Sequence, residues 1–160
     1  MDSEKRGQGM GKAMVLKAVM GSLAAGLVLS AQSEAIAQMV VGKSIKLFHE
    51  TAIRRLTEGL IELNIIEGPL ELALEDKRYL PYYMHGTGHF LGLDVHDVGN
   101  MDAELKEGMV LTCEPGLYIR EEEIGIRIED NIRVAESSQN LTYQIPKEAG
   151  EIEKLMQTEK

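Results

Sequence analysis

The sequence predicts an α+β domain in which helices come first, antiparallel strands follow, and one helix closes the chain. Three observations predict it. Between Ile45 and Leu63, apolar residues recur at helical spacing: Ile45, Phe48, Ala52, Ile53, Leu56, Leu60 and Leu63 form one stripe. Residues 109–119 and 124–134 then read as two strand runs, separated by the acidic segment 120–123. Near the end, Ile152, Leu155 and Met156 return to helical spacing.

Residues 1–12 are polar and contain glycine, and are expected to be irregular. From residue 13 to about residue 40 the chain is apolar nearly all round, which predicts a helix closed by Gly42. Lys5, Arg6 and Lys12 ahead of the apolar residues 18–31 outline an export signal. Leu29 is too large for the small residue such a signal needs three positions before a cleavage after Ala31. The run also continues unbroken and is short for a membrane span, so a helix is the expectation. Ser44 is placed to cap the next helix, with Arg54, Arg55 and Glu58 on its wet face. Gly68 and Pro69 break the chain, and residues 70–79 are expected as a short third helix.

After Pro81 the character changes. Residues 82–99 carry four glycines and then alternate, with Leu91, Leu93 and Val95 on one side and Asp94 and His96 on the other. That predicts strand or extended backbone. Residues 105–108 are expected to turn, and Pro146 to open the terminal helix. No internal repeat or second domain boundary is visible.

Composition narrows the function classes. The formal net charge is −9 with no basic run, which argues against nucleic acid and anionic membrane as partners. The single cysteine, Cys113, excludes an internal disulfide and a thiolate-rich zinc site. It fits a reducing compartment, and a cytoplasmic location is expected. Any metal must rest on His, Asp and Glu.

The strand spacing has a chemical consequence. If residues 109–134 form a hairpin about its acidic tip, Glu114 and Glu129 fall opposite each other. Like charges in that position repel, so a cation, a shared proton or a nearby arginine must compensate. Arg127 lies beside Glu129 and opposite Gly116, which leaves its side chain room. His85, His89 and His96 fall within twelve residues, where Gly86 and Gly88 permit the turns that would converge them. His89 with Glu114 and Glu129 makes a nitrogen and oxygen donor set. It suits manganese, iron, cobalt or zinc better than calcium. The remaining histidines could act on substrate as acid, base or oxyanion partner. Clustered histidines also occur as hydrogen-bonded loop residues, so the residues alone mark a candidate site. His49, beside Phe48 and Ala52, reads as structural, and Cys113 as a small core residue facing away from Glu114.

Three blocks carry a resemblance: MHGTGHFLGLDVHDVG at 84–99, MVLTCEPGLYI at 109–119 and IGIRIEDNIRV at 124–134. In this order they closely resemble the signature blocks of the bacterial Xaa-Pro aminopeptidases (aminopeptidase P), relatives of prolidase and methionine aminopeptidase. The helical text from residue 27 and the segment PKEAGEIEKLM are similar too, so the likeness covers roughly 27–157. It implies part of a pita-bread peptidase domain at 27–160, with 1–26 unmatched. It also implies a two-metal centre, usually manganese, that hydrolyses the bond between an N-terminal residue and a following proline. By motif position, the resemblance makes His89, Glu114 and Glu129 metal ligands. It makes His85 and His96 the histidines that assist substrate and proton movement, and Arg127 the arginine beside the last ligand.

There are departures. The family's other two ligands are upstream aspartates, the first in a strand and the second in a block reading roughly D-I-T-R-T. Here Asp2 is the only aspartate before Asp76. The family's N-terminal domain is not expected in this chain, and the tip between Glu114 and Glu129 is shorter than is usual. The resemblance therefore implies an impaired peptidase with one ion at most, manganese first, acting on peptides with proline in second position. The other reading is a non-catalytic remnant or interaction module. With half of a pita-bread sheet lacking partner strands, self-association is expected.

Overall fold

A computed structural model describes residues 3–157, with side chains described for 17–157. Helix α1 spans Ser3–Ile36, α2 Ile45–Glu62 and α3 Leu70–Glu75. Strands β1 (Val110–Cys113), β2 (Gly116–Ile119), β3 (Ile124–Arg127), β4 (Asp130–Arg133) and β5 (Gln139–Asn140) follow, then α4 (Ala149–Gln157). The order is the expected one of helices, antiparallel strands and a final helix.

Helix α2 forms where the stripe places it. The Ser44 hydroxyl accepts the Lys46 N–H at 3.2 Å, satisfying one of the donors a helix start leaves open. Phe48, Ala52, Leu56 and Leu60 are fully buried. Ala24, Val28 and Ala31 of α1 are buried in turn, and their small size lets the helices approach closely. Burying a side chain such as Leu56 contributes roughly 1.5–3 kcal/mol. Leu27, Val28, Leu56, Leu60, Leu117 and Ile119 share one apolar cluster, which ties the helix pair to the hairpin. A second cluster joins Met39, Ile45 and Phe48 to Leu111, Cys113, Ile132 and Val134.

The hairpin keeps one register on both sides of its tip. Strand β2 pairs with β3 through Gly116↔Arg127 and Ile119↔Ile124, and β1 pairs with β4 through Cys113↔Asp130 and Val110↔Arg133. Strand β5 adds to β4. A 3₁₀ turn, Arg120–Glu122, forms the tip.

Several expectations need correction. Residues 3–12, expected irregular, are the first turns of α1, while residues 1 and 2 lie outside the described residues. The helix ends at Ile36, and Gly42, at φ +81°, sits instead in the turn before Ser44, donating to the Leu105 carbonyl at 2.9 Å. The apolar run is also not short. Lys17–Ile36, with mean hydropathy 1.3, is long and apolar enough by length and composition to cross a membrane. Here its Ala24, Val28, Ala31 and Ala35 face is buried within the fold.

Helix α3 stops at Glu75, and Lys77 takes a left-handed turn at φ +53°. The two long strand runs are each broken, at Glu114–Pro115 and at Ile128–Glu129. Residues 82–99 form no named strand. Only 87–91 run along β1: the Glu114, Thr112 and Leu91 N–H groups bond the Thr87, His89 and Val110 carbonyls at 2.7, 2.9 and 3.0 Å. Past Leu91 the chain bends, because Asp97 Oδ2 accepts the Leu93 N–H at 2.9 Å, a local bond that displaces sheet pairing. Leu93 and Val95 are exposed, so the alternation there marks no buried face. Helix α4 begins at Ala149, after Pro146, and its Ile152 and Met156 stripe is exposed.

Candidate metal centre

The break in the hairpin is where the candidate residues gather. Because both ladders share one register, Glu114 and Glu129 lie opposite each other between the pairs Cys113↔Asp130 and Gly116↔Arg127. Pro115 interrupts the ladder because it has no N–H to give. His89 reaches the same place from the segment alongside β1. One ligand atom each from His89, Glu114 and Glu129 lie within 4.8 Å of one another.

The tautomer of His89 follows from its neighbours. Nδ1 lies 2.9 Å from the Phe90 carbonyl, which can only accept, so Nδ1 carries the proton. Nε2 is then a lone-pair donor, and it faces Glu114 Oε1 at 3.5 Å. Thr112 links the two: its hydroxyl accepts the His89 N–H at 3.0 Å and donates to Glu114 Oε1 at 3.3 Å. Such second partners fix ligand orientation. Two carboxylate oxygens and one imidazole nitrogen fit a single borderline divalent ion with small side-chain adjustments.

Of the three ways to compensate the opposed carboxylates, the structure shows the arginine. Arg127 Nη1 lies 3.4 Å from Glu114 Oε2. Gly116 is opposite Arg127 as expected, but the room it leaves serves other groups. A Cβ there would lie 2.9 Å from the Tyr118 hydroxyl and 3.1 Å from His85 Nε2. Gly88 is equally constrained, since a Cβ would lie 2.0 Å from the Thr112 carbonyl oxygen.

The other histidines are close without joining the ligand group. His85 donates from Nδ1 to the Gly86 carbonyl at 2.8 Å, so its Nε2 accepts from the Tyr118 hydroxyl at 3.0 Å. Its ring meets Tyr83 edge-on, with centroids 4.9 Å apart. His96 is exposed, with its ring 4.1 Å from that of His89. His49 bonds Thr87 Oγ1 at 2.7 Å, and burial lowers its pKa from 6.5, keeping it neutral near pH 7. Cys113 is fully buried in the core, and burial pushes its thiol well up, so it is inert.

Sequence reasoning missed Thr87, Tyr83 and Tyr118. Thr87 is buried, accepts the Glu114 N–H on its carbonyl at 2.7 Å, and bonds the Tyr83 hydroxyl at 2.6 Å. No local pattern marks such a residue. Thr112 stands two residues before Glu114, on the same strand face.

The profile of metallopeptidase family M24 matches residues 22–136. The Xaa-Pro aminopeptidase of Haemophilus influenzae is 46% identical over 143 residues, covering 81% of this chain and 33% of that protein. The Xaa-Pro aminopeptidase of Escherichia coli K12 is 41% identical over 128 residues, covering 72% and 29%. Among solved structures, the aminopeptidase PepP of Pseudomonas aeruginosa is similar with a TM-score of 0.82 and 36% identity, over 85% of this chain and 34% of that one. Zinc-substituted E. coli aminopeptidase P in complex with product gives 0.79 and 38%, over 84% and 33%. The chain thus spans about a third of the length of the relatives it matches, and its fold is part of a pita-bread domain.

Proposed function

The chain belongs to metallopeptidase family M24, and from that premise we propose that it is a divalent-metal peptidase of the Xaa-Pro aminopeptidase type, impaired by a reduced ligand set. The observation that carries the proposal is the convergence of His89, Glu114 and Glu129 within 4.8 Å. Among the described residues no further His, Cys, Asp or Glu joins that group. One ion, manganese on the family resemblance, is therefore the expected load.

A divalent ion held there would polarise the scissile carbonyl and acidify a water. The chain's own residues prepare the place. Glu114 and Glu129 offer carboxylates on one face, and Thr112 orients Glu114 against His89. Arg127 balances the Glu114 charge. His96, exposed beside His89, can pass a proton to the departing amine, and His85 with Tyr118 lines the approach of the peptide. The substrate is a peptide with proline second, whose bond lacks the N–H that general peptidases use. We assign the peptidase domain to residue 22 onward, since the family match begins there and Ala24 is buried in its core, a few residues ahead of the expected start at 27, and place the protein in the cytoplasm.

The test uses the purified full chain with manganese and an Xaa-Pro-Xaa peptide, reading release of the N-terminal residue against a His89→Ala control. Weak, manganese-dependent release that the control lacks supports the impaired enzyme. Equal background rates would favour a non-catalytic remnant. Robust release would mean that an acid outside the three-residue group completes the centre.

A further inference from the structure

Gln32 lies on α1, far in sequence from every motif, and its side chain is 1% exposed. Its Nε2 donates to two backbone carbonyls, that of Cys113 at 3.0 Å and that of Ile128 at 3.1 Å. These carbonyls belong to the peptides immediately before Glu114 and Glu129. They stand where the hairpin ladder is interrupted, between Cys113↔Asp130 and Gly116↔Arg127. A buried carbonyl without a donor is costly, and the two N–H groups of one carboxamide supply both.

The orientation of the amide is set from its other end. Lys147 Nζ donates to Gln32 Oε1 at 3.3 Å and pairs with Asp130, which is 2% exposed. The Thr142 hydroxyl donates to the other Asp130 oxygen at 2.7 Å. With an ammonium on one side and two carbonyls on the other, only one flip of the amide satisfies every group.

We propose that Gln32 is the positioning residue of the metal centre, setting the separation of Glu114 and Glu129 by tying the peptides ahead of both to one nitrogen. This rests on the reading of those carboxylates as ligands. Outer partners of this kind typically change metal affinity by about 10–100-fold when removed.

The experiment titrates Mn²⁺ into the full chain, following loss of the free-ion electron paramagnetic resonance signal, for wild type, Gln32→Met and Val28→Ala. Backbone hydrogen exchange is measured on the same samples. Gln32→Met keeps volume but has no donor, whereas Val28→Ala loosens the same helix without touching either carbonyl. Expected is about tenfold weaker Mn²⁺ binding in Gln32→Met, with faster exchange at the Glu114 and Ile128 amides. Val28→Ala should keep wild-type affinity. Unchanged binding in Gln32→Met, or an equal loss in Val28→Ala, overturns the proposal. If wild type takes up no Mn²⁺, the metal reading itself fails. Exchange then decides: selective loosening at the two amides leaves the tie standing, and none removes it. Should Gln32→Met not fold, Gln32→Asn keeps the amide but withdraws it by one methylene.

Discussion

His89 Nε2 and Glu114 Oε1 face each other at 3.5 Å, and the Thr112 hydroxyl links the His89 backbone N–H to the same Glu114 oxygen. With Nδ1 committed to the Phe90 carbonyl, the imidazole can offer only Nε2 to whatever lies between them.

This pairing predicts one manganese ion per chain. His89→Ala and Glu114→Gln should each weaken binding by well over tenfold, since the first removes a donor outright and the second removes the carboxylate's charge. Isothermal titration of wild type and both variants checks it. A stoichiometry of two would show that ligands outside His89, Glu114 and Glu129 are in use.

Thr112→Val keeps the shape and removes the bridge. The His89 N–H loses its acceptor in a half-buried place, at a cost of about 1–3 kcal/mol. Metal affinity should fall about tenfold as Glu114 loses its orienting partner. Urea unfolding of the metal-free chain and manganese titration read the two effects separately. A neutral result in both would remove Thr112 from the site.

Acid should weaken the fold through His49. Its folded pKa lies below the 6.5 of the unfolded side chain because burial disfavours the charged ring. The unfolded chain therefore binds more protons between the two values, and stability rises with pH across that window. The contribution is complete above about pH 6.5 and is lost as pH falls through the folded pKa. Melting temperature against pH should show a shallower acid slope in His49→Gln than in wild type. Identical slopes would place the acid sensitivity elsewhere.

Self-association is expected when the chain is expressed alone. Leu93, Val95 and Val98 are exposed at 103, 70 and 91% on the His96 loop. Exposed apolar groups so close together invite contact with another molecule. Sedimentation velocity should show concentration-dependent species that Leu93→Glu with Val98→Lys reduces. A monodisperse wild-type monomer would count against it.

Local repeats were legible because they depend on nothing beyond the backbone's own period. Ile45, Phe48, Ala52, Leu56 and Leu60 are buried where helical spacing puts them, and Cys113 points inward because strand residues alternate. The opposition of Glu114 and Glu129 was legible for the same reason, since a hairpin register is a matter of counting from its tip. Recognition of the His and Glu blocks added the family.

What period could not reveal was where a pattern would be interrupted. Leu91, Leu93 and Val95 alternate as a strand would, yet Asp97 takes the Leu93 N–H and the chain bends instead. The Ile152 and Met156 stripe has helical spacing, but spacing does not say whether anything covers it, and both remain exposed. Gln32 carries no local signal, because its partners at Cys113 and Ile128 are 81 and 96 residues away. The sequence by itself determined which residues repeat and which face each other across the hairpin. Only the tertiary structure decided which backbone groups lacked ladder partners there, and so which distant side chain had to supply them.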